Sequence, residues 1–490
     1  MVQREARTAG GAGHSARDHA LAVLRVRDTA LALALLPAAV AVVLFVTGTG
    51  GAVRWPVAGV AVAVLALAAA TGARIAGARP VVTPTVEVPE HAAPALHGLI
   101  VDLAECLDVP APAGIALTPD CDSWLEEPPR SGRPGSVAPV LVIGSPFLWW
   151  LRVAELRALL APVVAGTGPS AHPDVAAARR CVRAWDAAAG LAAGSSALRR
   201  PLLAFAGRAA RLMLRAAARH SAEMERGVAL AAAGRAQGVD PVLRTSAQEQ
   251  VGLAYAGWDR LLTRVALPAW RIGRWPRGLN AGVVAALTEL SRRDRLAEGF
   301  TARLGERPAC DLLDEPGAMD DEISLLAARL LHGAPAGAPP ADWTPVDWPA
   351  YPEEVVDRIW RDRAARLFAA LDAAETPTLA WVLQRLTDAA ATDHGVDALA
   401  ARLVAGQERG EKRESLVEHV AAAVCCAAAD TTAAVPGLDW LDGPVLLADG
   451  KRRQDLAAQV HSLVDDGDPG PLREWLAGIG ARADKPVRLV

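Results

Sequence analysis

Two long uncharged apolar runs near one end govern what this chain can fold into. Thr29 to Gly48 reads TALALALLPAAVAVVLFVTG, about the length a helix needs to cross a bilayer. Pro56 to Ala73 is a second such run, and only a short Gly-rich turn with Arg54 and Trp55 separates the two. Spans joined this tightly form a helical hairpin, with Trp55 at the membrane interface. Arg17, Arg25 and Arg27 precede the first run, Arg74 and Arg79 end the second, and the turn holds one arginine. That asymmetry puts both ends of the hairpin in the cytoplasm and the chain in the cell membrane. A cleaved signal peptide fits poorly. The segment before the first run is long and carries Glu5, Asp18 and Asp28, and a second run follows at once.

The remaining chain is long enough for two or three domains beside the hairpin. Net charge is −4, so nothing draws the chain to nucleic acid. The six cysteines contain no CxxC or CxxxC pair, and the adjacent Cys425 and Cys426 lie in an Ala-rich helical stretch where a disulfide is geometrically unfavourable. A reducing compartment fits this usage. The pattern divides the chain into a cytoplasmic segment over 1–28, a transmembrane hairpin over 29–80, a domain over 81–335 and a helical accessory domain over 336–490. The last boundary rests on the Pro/Gly/Ala tract at Gly333 to Pro340.

Within 81–335, residues 81–90 read as a Pro-rich linker. Pro94 to Leu107 has helical periodicity, with Leu96, Leu99, Ile100, Leu103 and Leu107 on one face. Ile115 to Leu117 and Val140 to Ile143 are strand candidates, separated by a loop-like cluster at 126–139. Arg208, Arg211, Arg215 and Arg219 recur at helical spacing as a basic stripe, which suits a helix lying at an anionic membrane surface. Asp320-Asp321-Glu322 reads as an acidic helix N-terminus. Beyond residue 336, helices are expected at 353–373, 376–390, 395–406, 412–429, 452–465 and 470–478, with a short strand and turn at 444–450. His419 and His461 stand alone on helices.

One stretch carries chemistry by what it lacks. Val140 to Gly166 reads VLVIGSPFLWWLRVAELRALLAPVVAG. It resembles the segment that leads into the H-E-x-x-H motif of the HtpX and CAAX prenyl protease family of membrane zinc peptidases. Leu141-Val142-Ile143-Gly144 and Glu155 to Ala161 match the lead-in. The catalytic pentad is replaced by Pro162, Val163, Val164, Ala165 and Gly166. Two imidazoles at i and i+4 are needed to hold one zinc from one helix face, with a carboxylate beside the first to take the proton of metal-bound water. Pro162, Val163 and Gly166 offer neither ligand nor base, and Pro162 should kink or end the helix. Val163 and Val164 favour a filled rather than an open zinc pocket.

The resemblance implies a mainly α fold: a two-helix transmembrane hairpin, a helical zincin-like domain with a small β-sheet whose edge holds extended substrate, and a helical C-terminal region. It also implies a third zinc ligand on a later helix, a position that Glu223 matches. The supporting carboxylate of that motif is replaced by Arg226-Gly227. The leading expectation is therefore a membrane-anchored pseudopeptidase with a peptide-binding, protein-binding or regulatory role. It has no cofactor, and its partners are the lipid bilayer and membrane proteins or peptides. Two alternatives stand beside it. One is an active metallo-endopeptidase whose zinc sits in a non-standard site of His172, His220 and Glu223. The other is a membrane-tethered helical scaffold unrelated to peptidases.

Overall fold

The computed structural model describes residues 2–49, 51–78, 83–127, 138–190, 200–293, 306–332, 343–372, 377–392, 394–403, 409–453 and 455–489. The chain is mainly α with small sheets. It forms two compact units, one made of Met1–Gly252 with Glu306–Pro316, the other of Leu253–Gly305 with Gly317–Val490. The division falls inside a helix, Pro241–Leu261. The tract at Gly333 to Pro340, expected to mark it, lies outside the described residues, as does Arg79.

In the first unit, helix α1 (Val2–Thr47) joins the basic segment and the first apolar run without a break. Helix α2 (Arg54–Gly77) carries the second run. Ser15–Thr47 and Gly51–Gly77 are each long and apolar enough to cross a membrane. α1 packs on α2, and also on helices α7 (Pro173–Ala189) and α8 (Arg200–Ala236). Small residues allow the close approach. Ala16, Ala20 and Val23 of α1 are buried among Val175, Ala178 and Trp185 of α7 and Ala217, Met224 and Val228 of α8. Gly227 abuts Ala16, and the His19 and His220 Nδ1 atoms lie 3.4 Å apart. Rising numbers on α1 thus meet falling numbers on α8, so the two helices are antiparallel.

A four-stranded sheet lies in the same unit: β1 (Val86–Val88), β2 (Gly114–Thr118), β3 (Trp124–Glu126) and β4 (Val140–Gly144), in the order β1-β2-β4-β3. β2 and β4 are parallel, and the outer strands are antiparallel to them. The strands expected at 115–117 and 140–143 are β2 and β4. β1 falls in the stretch read as a linker, and β3 just before the stretch read as a loop. Helix α3 (Pro94–Cys106) buries Leu96, Ile100 and Leu103 as its periodicity requires and packs on helix α5 (Val153–Ala165). Burying side chains of this size contributes roughly 1.5–3 kcal/mol each.

The second unit is built on helices with two further sheets. β5 (Arg274–Pro276) pairs in parallel with β6 (Thr344–Val346), while β7 (Val435–Asp439), β8 (Gly443–Ala448) and β9 (Lys451–Arg452) form an antiparallel meander. The acidic run at Asp320 to Glu322 does not start a helix. It lies within Pro316–Ala327 and caps a different one, Leu279–Arg293. Asp320, 1% exposed, accepts from the backbone N–H groups of Asn280 and Ala281, each at 2.9 Å, and from Asn280 Nδ2 at 2.7 Å. These are the orphan donors of a helix start, satisfied from a neighbouring helix. Burial pushes the Asp320 carboxyl above the usual range, against the pull of those donors. Arg361 and Arg488 converge on Asp430, which ties the end of helix Arg409–Thr431 to the segment at Arg488.

Candidate functional site

The lead-in motif has a local physical basis. β4 ends at Gly144, where a side chain would collide with the Asp120 carbonyl and lie 2.8 Å from that of Asp122. Only glycine admits the turn that brings β3 alongside. A short helix, α4 (Ser145–Trp150), follows with all its residues buried, and then α5 begins. Glu155 fixes that beginning. It is 5% exposed, and its carboxylate accepts from the Arg152 backbone N–H at 3.0 Å and from the Ser246 hydroxyl at 3.1 Å. The segment at Arg307-Pro308 returns to the same place: Val153 donates to the Arg307 carbonyl and Ala309 to that of Leu151. Replacing Glu155 with alanine strands buried donors and should cost about 2 kcal/mol. Urea denaturation of the full chain in detergent measures this, and a change below about 0.5 kcal/mol, the size of an ordinary surface substitution, would refute the anchoring role.

α5 runs through Pro162 and stops three residues later at Ala165, so the proline is accommodated in the last turn rather than kinking the middle. Pro162, Val163 and Gly166 line one side of an open cavity of about 520 Å3. Leu125 and Glu126 of β3 line another, Arg179 and Arg183 of α7 a third, and Met224, Glu225 and Val228 of α8 the fourth. The position is thus open, contrary to the filling expected from the two valines. Val163 faces the cavity, whereas Val164 is fully buried on the other side of the helix.

The cavity walls are apolar with paired charges at their margins. Arg179 donates to Glu225 at 2.8 Å and to the Ser170 hydroxyl at 2.8 Å, and Arg183 pairs with Glu127. β3 forms the outer strand of the sheet, and its outer edge has no strand partner among the described residues.

The ligand candidates do not converge. Glu223 is absent from the cavity lining and pairs with Arg226 at 2.7 Å, while the α8 carboxylate that lines the cavity is that of Glu225. His172 caps α7, its Nδ1 accepting from the Asp174 N–H at 3.3 Å. His220 lies against His19. Among the described residues, no three His, Cys, Asp or Glu side chains are grouped to hold a metal ion. Burial, with help from Asp120, pushes the Cys121 thiol beside β3 up to about 12, so this thiol stays protonated at neutral pH.

Arg208, Arg211, Arg215 and Arg219 are all exposed on α8. Because α8 is antiparallel to α1, their stripe runs along the axis of α1, not in a plane across it. His419 donates to the Ser415 carbonyl at 2.6 Å, and His461 meets Asp465, so both are spoken for within their own helices.

Compared with protein-family models, curated proteins and solved structures, the chain finds no match.

Proposed function

We propose that this chain is a membrane-anchored, catalytically inactive relation of the zinc peptidases that binds extended peptide segments in its cavity. The observation that carries the reading is the cavity itself. It opens where the resemblance puts a zinc site, bounded by the three degenerate motif positions on α5, by α8 packed against α5, and by an outer strand. An unpartnered strand edge offers main-chain hydrogen bonds to an extended peptide, and the apolar walls take alternate side chains. The pentad that would carry turnover in the resembling family is replaced here by Pro162, Val163, Val164, Ala165 and Gly166, which supports binding over catalysis.

Anchoring is supported by exposure. Only 6% and 11% of the two apolar windows are buried within the protein, which supports membrane spans over core helices. Leu33, Leu36, Val43 and Val62 are each more than half exposed, an apolar surface of the kind that lipid or a partner covers. A cleaved signal would strip Ala16, Ala20 and Val23 from their packing against α7 and α8.

The test uses the full chain, because removing α1 would unroof α8. A photoreactive residue at Leu125 should crosslink extended peptides from a random library, and Ala229→Trp, which fills the cavity from an exposed position, should abolish it. Ala229→Ser should crosslink normally. Elemental analysis should find no stoichiometric zinc. Crosslinking that survives Ala229→Trp, or bound zinc accompanied by peptide hydrolysis, would overturn the proposal.

A further inference from the structure

The charges bordering the cavity do not cancel. Three carboxylates, Glu126, Glu127 and Glu225, stand against two guanidiniums, Arg179 and Arg183. Arg179 donates to Glu225 from Nε at 2.8 Å, and Arg183 is held by Glu127. Glu126 is left over: among the described residues it makes no ion pair. Its place on β3 decides how it can be used. The Leu125 Cδ1 lies 3.4 Å from where a Cβ on Gly166 would stand, so Leu125 is turned toward the end of α5. Glu127, two residues on, reaches α7 from the same side. Strand alternation turns Trp124 and Glu126 to the opposite face of β3. On β4 the partner of Glu126 is Val140, which offers it no countercharge.

A peptide strand laid along the outer edge of β3 sets one residue beside each residue of that strand. Each pair shares a face, with Cβ atoms about 4.5–5.5 Å apart. We infer that the site selects peptides in which a lysine or arginine adjoins an apolar residue. The apolar side chain sits beside Leu125 and enters the cavity toward Pro162, Val163 and Val228, and the cation sits beside Glu126 on the opposite face. The inference rests on the peptide-binding reading of the cavity. Either strand direction keeps the cation next to the apolar residue, because Leu125 and Glu126 are adjacent. An acidic residue in the cation's place meets Glu126 as a like charge and finds both arginines already engaged. Trp124 shares the face of Glu126, so a second cation, two residues along the peptide, meets an aromatic ring.

The experiment uses the full chain in detergent and extended peptides with the cores Lys-Leu-Lys, Gln-Leu-Gln and Glu-Leu-Glu, otherwise alike, each with a photoreactive group on the leucine. Crosslinks at the cavity-lining residues Val163, Met224 and Val228 are counted. The lysine peptide should crosslink about fivefold more than the glutamate peptide, the attraction and repulsion of one cross-strand charge pair combined. Glu126→Gln should remove most of this preference and Glu126→Arg should reverse it. Glu105→Arg, exposed on α3 and outside the cavity lining, should leave it unchanged. Each variant is scored by the ratio of its own crosslinks, so a loss of folded protein does not imitate the result. A ratio that Glu126→Arg leaves unchanged, or that Glu105→Arg shifts as much, overturns this inference while peptide binding stands. No crosslinking of any of these peptides to the parent chain overturns the peptide-binding reading and this inference with it.

Discussion

Replacing Asp430 with alanine should lower the stability of the second unit by about 3 kcal/mol. The carboxylate is only 5% exposed and gathers two arginines. Arg361 reaches it at 3.1 and 3.3 Å, and Arg488 donates through both its backbone N–H and its Nε at 2.9 Å. Removing the anion leaves the 12% exposed Arg361 guanidinium with Asp357 as its remaining carboxylate partner and releases the chain end. The loss sits at the lower end of the range for breaking a buried pair because Asp357 stays. Hydrogen exchange in Arg409–Thr431 reads the change directly and should quicken more than a hundredfold.

The pH dependence has a definite sign. Burial alone would raise the Asp430 carboxyl, but the bonds from Arg361 and Arg488 hold it below its ordinary value of 3.8. A depressed carboxyl contributes fully above the unfolded value and loses its contribution as pH falls through the folded one. Parent and variant should therefore differ by a constant amount at neutral pH and converge only below 3.8. A difference that shrinks already between pH 7 and pH 5 would mean that another group carries the effect.

Gly227→Leu should have a comparable effect in the first unit, about 3 kcal/mol, the upper end of overpacking costs. A Cβ at Gly227 would stand 2.9 Å from the Cβ of Ala16 and 3.1 Å from its Cα and N. Backbone, not a flexible side chain, stands in the way, so α1 and α8 must part. Met224 and Val228 belong both to this helix contact and to the cavity lining, so peptide crosslinking from position 125 should fall as well. Ala16→Gly in the same chain removes the nearest obstructing atom and should restore part of both signals. A double variant no better than Gly227→Leu alone would show that the damage lies elsewhere.

What the sequence conveyed and what it hid follow from the range of the interactions. α3 was readable because its leucines repeat at helical spacing over several turns. The helices beyond residue 336 emerged within a few residues of their observed ends for the same reason. β3 was not readable. Three residues, Trp124 to Glu126, leave no alternation to detect, and their strand state depends on pairing with Leu141 and its neighbours. Asp320 looked like the cap of its own helix because sequence shows neighbours along the chain, whereas its partners lie some forty residues earlier. At the cavity, the three degenerate positions were named from the motif and do line it. Glu223 was named from spacing in the same way, yet the helix phase turns Glu225 inward instead. Arg179 and Arg183 went unnoticed because nothing local sets them apart from the many other arginines.

One property of α1 has a mechanical meaning. From Ser15 to Leu36 it contains neither glycine nor proline, and the whole helix of 46 residues is roughly 69 Å long. The first turns of the apolar run, up to Leu36, and the half seated on α7 and α8 therefore form one stiff stretch, which ends at Pro37. Under the proposed membrane placement, a torque applied between Thr29 and Leu36 would reach Ala16 and Ala20 with neither glycine nor proline between to absorb it.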